Sequence, residues 1–223
     1  MNWCPRRPCD RLSVPLHAAH ENCADLRAGI AGPTLAFWLK AAGYEPTLVE
    51  RAPAPRSGGY VIDFWGLGYD IAERMALTPA ITAAGYHAQE MRIVGDDGRR
   101  IAGFGTTVFD ELTAGRYVTL ARSDLSRLLL EKISGSTEVI FDDEIVGIDE
   151  QSDGVRVQLR RGGQRRYDLV VGADGLHSAV RRLMFGPQES FEKISATPSR
   201  RFRPSVIGRA MRTSMSCTDS RGE

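Results

Sequence analysis

The sequence predicts an α/β protein built on a Rossmann-like nucleotide-binding unit, and three observations carry that prediction. Ala28-Gly29-Ile30-Ala31-Gly32-Pro33 reads as a glycine turn opening a helix. Thr34-Leu35-Ala36-Phe37-Trp38-Leu39-Lys40 continues that helix with an amphipathic period. Thr47-Leu48-Val49-Glu50-Arg51 is a short apolar strand that ends in a carboxylate. Turn, helix, strand and terminal acid, in this order, form the second part of a dinucleotide-binding βαβ unit.

Each part has a physical task. Gly29 and Gly32 let the backbone approach a pyrophosphate and let the helix pack on a sheet. The helix start offers N–H groups and a positive dipole end to the phosphates. Glu50 has the position of a ribose-binding acid. The front of the unit departs from the pattern. Arg27 stands where the fingerprint has its first glycine. Asn22-Cys23-Ala24-Asp25-Leu26 has no β-branched residue, so no first strand is expected before the turn.

Residues 1–26 mix Pro, Arg, Cys and His without periodicity and read as a disordered or non-native leader. A helix follows over 29–42, with Ile30, Leu35, Trp38, Leu39 and Ala42 as its inward stripe and Gly43 as its stop. A strand is expected at 46–50, a Pro/Gly/Ser loop at 53–59, a strand-like run at 60–66 and a helix near 68–76. Met91–Gly95 and Arg100–Phe104 flank Asp96-Asp97-Gly98 and read as a hairpin. Tyr117–Leu120 is a strand. Ser123 caps a helix that turns Leu125, Leu128, Leu129 and Ile133 inward. Strands are expected at about 137–141, 144–149 and 154–160. Asp168-Leu169-Val170-Val171-Gly172-Ala173-Asp174-Gly175 is a buried strand with a polar end, leading to a helix from about Ser178. Beyond 194, six arginines, six serines and two prolines replace apolar periodicity, and the segment reads as a tail without a core-forming face.

Composition narrows the partners. At 223 residues and a net charge of +1, the chain is long enough for one domain with a lobe. Nothing global points to nucleic acid or an acidic surface. No run reaches the roughly 18 apolar residues of a membrane span. Arg6, Arg7 and Pro8 replace a secretory apolar segment. The expectation is a cytoplasmic protein with a small-molecule partner. Cys4, Cys9, His17, His20 and Cys23 fit no zinc spacing, and no metal site is expected.

Other residues carry two readings each. Arg122 follows a strand and opens a helix, so it meets a phosphate or is solvated. Asp174-Gly175 ends a strand, so it approaches a cofactor's hydroxyls or caps the next helix. Tyr60, Phe64 and Trp65 line a flat-ring pocket or pack in a core. His87 and His177 have no acid or nucleophile at a motif spacing and read as surface residues. No catalytic triad or phosphate-loop lysine is present.

Taken together, the quoted segments resemble the FAD-dependent monooxygenases of the aromatic-hydroxylase type, near the tetracycline-monooxygenase-like branch. The matching text is Ala28–Ala36, Leu48–Arg51, Gly58-Gly59-Tyr60-Val61-Ile62-Asp63-Phe64-Trp65-Gly66, Ala121-Arg122-Ser123-Asp124-Leu125 and Asp168–Arg181. The resemblance covers about 28–193. It implies an incomplete Rossmann-like FAD/NAD(P)-binding fold over 27–193, with part of a β-rich substrate lobe that includes a hairpin at about 88–105. It implies FAD as cofactor and NAD(P)H as electron donor, for hydroxylation of an aromatic or polyketide-like small molecule. It sets Gly29 and Gly32 at the pyrophosphate, Glu50 at the adenosine ribose and Arg51 by the adenine. Arg122 then lies at the phosphate side, Asp174 and Gly175 near the flavin, and Gly59, Tyr60 and Trp65 near the ring and substrate. No side chain is an obligatory catalyst, because the cofactor carries the chemistry. The family's third motif, a Gly-Asp-Ala-Ala-His type segment, is absent. An inactive fragment without flavin and a Rossmann-type NAD(P)-dependent dehydrogenase are the competing readings. The dehydrogenase reading lacks a Tyr-x-x-x-Lys pair.

Both composition breaks coincide with the loss of the resemblance. Residues 20–27, read from the second base of each codon, can encode Met-Lys-Ile-Ala-Leu-Ile-Ser-Gly. From Ile194, the third-base frame can encode Leu-Gly-Tyr-Thr-Val-Ala-Ala-Phe. The expectation is a chain frame-shifted at both ends.

Overall fold

The computed structural model describes residues 22–26, 28–55, 57–58, 60–86, 90–95 and 97–191. The expected leader up to 21, the tail beyond 193, Arg27, Gly59 and His87 lie outside the described residues.

A parallel sheet organises the molecule. Its strands are β1 (Asn22–Leu26), β2 (Glu45–Glu50), β7 (Glu138–Phe141) and β11 (Leu169–Val171), in the order β11-β1-β2-β7. All three pairings are parallel. β1 corrects the expectation that no strand precedes the glycine turn. It pairs on both sides, with Cys23 opposite Pro46 and Leu169 and Asp25 opposite Leu48 and Val171. Backbone hydrogen bonding to two formed neighbours outweighs a poor local propensity. Asn22 is held further, donating its N–H to Asp168 Oδ2 at 2.7 Å.

Helix α1 (Ala31–Ala41) packs against β2 and lies beside α5 (Arg122–Ile133). Its buried residues are Gly32, Pro33 and Ala36, not the expected stripe: Trp38 and Ala42 are exposed, and Leu35 and Leu39 are half-buried. Small residues on the inner face let the helix sit close to the sheet. Gly43 ends the helix as expected, with φ +93°. In α5 the predicted Leu125, Leu128, Leu129 and Ile133 are the buried residues. Ser123 is not its cap. Ala121 holds that position, and Ser123 lies within the first turn.

The remaining strands form antiparallel pieces. β3 (Val61–Trp65) pairs with β6 (Tyr117–Ala121), β4 (Glu90–Val94) with β5 (Arg100–Gly105), and β8 (Ile145–Gln151), β9 (Gly154–Leu159) and β10 (Gln164–Tyr167) form a meander. The β4–β5 hairpin is where the sequence predicts it. Short helices α2 (Leu67–Arg74), α3 (Thr78–Ala84), α4 (Thr107–Thr113) and α6 (Ala179–Phe185) fill the connections. One apolar core joins α2, α3, β6 and α5 through Met75, Ile81, Leu120 and Leu125, all nearly inaccessible to solvent. A second joins Val49, Val157, Leu159 and Val180.

Between α1, α2 and α5 lies an open apolar groove of about 390 Å³. Ile30, Leu35, Trp38, Phe64, Ile71 and Leu129 are among its walls.

Candidate nucleotide-binding site

In a parallel sheet of this kind, ligands gather beyond the carboxyl ends of the strands. β11, β1 and β2 are adjacent and parallel, so Gly172–Gly175, the Ala28–Gly32 turn and Glu50 all follow strand ends at that same edge. A cleft of about 350 Å³ opens there, lined by Ala28, Gly29, Glu50, Ser57, Gly58, Tyr60, Arg122 and Ser126 among others.

The glycine turn is tied at both sides. Glu50, the last residue of β2, is 7% exposed. Its Oε2 accepts the Ala28 N–H at 3.0 Å, and its Oε1 accepts the Ala52 N–H at 2.8 Å. From the opposite wall, Ser126 on α5 shares its hydroxyl proton between the carbonyls of Ala28 and Gly29, each at 3.2 Å. A Cβ placed on Gly29 would meet no atom within 4 Å, so the cleft is open to a ligand directly over the turn. Gly32 is buried in the first turn of α1, where Pro33 adds no N–H. The Thr34 hydroxyl donates to the Ile30 carbonyl at 2.7 Å.

Arg122 supplies the positive charge. Its backbone N–H donates to the Tyr60 carbonyl at 3.1 Å, and its guanidinium lies 6.0 Å from the Tyr60 ring centre. Both side chains are exposed at the cleft. A buried carboxylate, an open glycine turn and an exposed guanidinium thus share one cleft. This donor and acceptor set fits a dinucleotide: cation and N–H groups for phosphate, carboxylate for hydroxyls.

Other predicted residues stand apart from the cleft wall. Arg51 is exposed and does not line it. Trp65 is 60% exposed on β3 and is likewise absent from the lining. Asp174 is 2% exposed. Its Oδ2 accepts the N–H groups of Ala179 and Val180, so it supports the start of α6, while Ser178 Oγ accepts from the Arg181 N–H as the cap proper. Asp174 Oδ1 has no partner among the described residues. Gly175 takes φ +76°, a turn conformation that favours glycine. Gly172 lets α6 approach, since a Cβ there would sit 3.0 Å from the Val180 Cβ. His177 is exposed and faces Gln188. The sequence reading missed Ser57, Gly58 and Ser126. Only Gly58, in the Pro/Gly/Ser loop, carries a local signal for its place.

Comparison with known proteins decides the class. Residues 28–200 match the family described as FAD binding domain. The chain belongs to that family. An uncharacterized protein of Mycobacterium tuberculosis is 42% identical over 177 residues, covering 76% of this chain and 46% of that protein. A flavin-dependent monooxygenase of an unknown prokaryotic organism is 35% identical over 168 residues, covering 73% of this chain and 42% of it. The crystal structure of tetracycline destructase Tet(55) superposes with a TM-score of 0.65 at 34% identity, covering 74% of this chain and 41% of that one. The chain therefore spans less than half the length of the relatives it matches. FAD is the group that this family's domain binds. The fold is the family's α/β FAD-binding fold in part. Among the described residues, no helix is long and apolar enough to cross a membrane.

Proposed function

We propose that this chain is the cofactor-holding part of a flavin-dependent monooxygenase that acts on an aromatic or polyketide-like small molecule in the cytoplasm. The carrying observation is the single cleft that joins the Gly29 turn, the Glu50 carboxylate and the Arg122 guanidinium. Flavin-dependent monooxygenase relatives and the tetracycline destructase likeness support the reaction class.

In this reading the backbone at Gly29 and Gly32 and the start of α1 face the pyrophosphate. Glu50 accepts hydrogen bonds from the adenosine ribose with the lone pairs that Ala28 and Ala52 leave over. Arg51 lies by the adenine. Arg122 neutralises phosphate charge, and its neighbour Tyr60 borders the ring. Asp174 and Gly175 approach the flavin side from β11. Trp65 belongs to the substrate side. Held by these residues, FAD would supply the redox chemistry of an NAD(P)H-dependent hydroxylation. The protein's own groups bind and orient, and no side chain needs to act as a nucleophile.

The test is titration of the purified chain with FAD. Flavin fluorescence should change saturably, with a midpoint in the micromolar range. A flat signal up to about 1 mM, a Kd worth only about −4 kcal/mol, would overturn the reading. If FAD binds, NAD(P)H oxidation coupled to oxygen uptake tests turnover.

A further inference from the structure

β1 is a strand whose residues do not suit its seat. A strand paired on both sides in a parallel sheet is covered on both faces, and such strands read as continuous apolar runs rich in Val and Ile. Its neighbours place apolar residues beside it: Leu48 and Val49 on β2 are buried, and β11 is Leu-Val-Val. β1 reads Asn-Cys-Ala-Asp-Leu. Asp25 is held in register between Leu48 and Val171, and Cys23, fully buried, between Pro46 and Leu169.

The genetic code supplies residues that do suit it. An asparagine codon followed by a cysteine codon, read one base on, gives isoleucine or threonine and nothing else. Cysteine followed by alanine gives alanine or valine. Aspartate followed by leucine gives isoleucine or threonine. Positions 22 and 25 therefore become β-branched strand formers whatever the third bases are, and position 23 becomes alanine or valine. Position 24 admits leucine, and position 27 admits glycine. That glycine is the missing first member of the Gly-x-Gly-x-x-Gly fingerprint, immediately ahead of Ala28 and Gly29. The shifted frame thus improves the strand and the turn together, over the same residues that the fold pairs as β1.

We infer that β1 and the residue after it are the displaced reading of an apolar strand and a glycine, separated from Ala28 by a single-base shift. The step to cofactor affinity rests on the reading in which the turn faces a pyrophosphate; the step to the strand does not. As it stands, the sheet carries a polar residue in a central strand, and the sequence carries Arg27 where the fingerprint has its first glycine.

Two measurements test this. The first is the sequence of the coding DNA. The expected result is third bases that give isoleucine at 22 and 25, leucine at 24 and glycine at 27, with a run of G across the Arg27–Ala28 junction. Threonine at 22 or 25, a non-glycine codon at 27, or a stop in the shifted frame overturns the inference. The second is the variant Asn22→Ile, Asp25→Ile, Arg27→Gly of the full chain. Its thermal midpoint should rise by about 5 °C or more, the scale of a few kcal/mol in a domain of this size. An unchanged or lower midpoint overturns the inference at the level of the fold. A raised midpoint with no gain in FAD affinity upholds it and counts instead against the cofactor reading.

Discussion

The Ala28 N–H donates to Glu50 Oε2 at 3.0 Å, so the acid at the tip of β2 also fixes the turn that follows β1. One carboxylate joins two neighbouring strands at the mouth of the cleft. Glu50→Gln keeps the shape but replaces one acceptor with a donor that faces an N–H. The variant should lose about 1–3 kcal/mol of stability, the cost of leaving a buried N–H unpaired. FAD affinity should fall about tenfold or more. Thermal melting and flavin fluorescence titration check the two effects separately.

Ser126 holds the same turn from α5. Ser126→Ala removes the hydroxyl shared by the Ala28 and Gly29 carbonyls. Stability should fall by about 1 kcal/mol, since those carbonyls face a cleft that water reaches. Amide exchange at Gly29 and Ile30 should quicken while exchange in β2 stays unchanged.

Arg122 tests the charge. Its side chain is exposed, so Arg122→Ala should leave the melting temperature within about 1 °C. FAD affinity should drop about tenfold, and the remaining binding should depend less on salt than in the parent chain. Titrations at low and high ionic strength read both outcomes.

Asp143 gives the fold a pH dependence. It is 5% exposed, and its carboxylate accepts the N–H groups of Glu144, Arg161 and Gly162 at 2.7–3.0 Å. Burial pushes this carboxyl up, but the converging N–H groups outweigh it and hold it below the usual carboxylate range. A carboxyl lowered by folding contributes stability above its unfolded value of about 3.9, and loses it as pH falls through the folded value. Asp143→Asn should therefore melt about 3–8 °C lower at pH 7. The gap should close as the parent chain is acidified below about pH 4, when its own carboxyl takes a proton.

The sequence made some elements legible because local pattern and tertiary role agree there. β2 is an apolar run ending in an acid, α5 turns four aliphatic residues to one side, and the β4–β5 hairpin has Asp-Gly at its tip. β1 was illegible because its strand comes from two neighbours' hydrogen bonds and not from its residues. β10 was missed because Gln-Arg-Arg-Tyr is polar except for Tyr167, as suits an edge strand. α3 and α4, at seven residues each, are too short to show a helical period. At the cleft, Gly29, Glu50 and Arg122 carry motif spacing. Ser126 does not, since a serine inside a helix reads the same whether it holds a turn or faces water. The α1 stripe failed because Gly32, Pro33 and Ala36 make the close contact, while Leu35 and Leu39 are only half-buried and Trp38 is exposed.

The half-exposed side of α1 has a consequence for handling. With Trp38, Leu35 and Ile30 bordering a trough that no described residue covers, water there is bound weakly and any oily surface displaces it at a gain. The chain on its own should be sticky: retained on phenyl resin, quick to salt out in sulfate, and bright with dyes that light up on hydrocarbon, even while every strand described above remains intact.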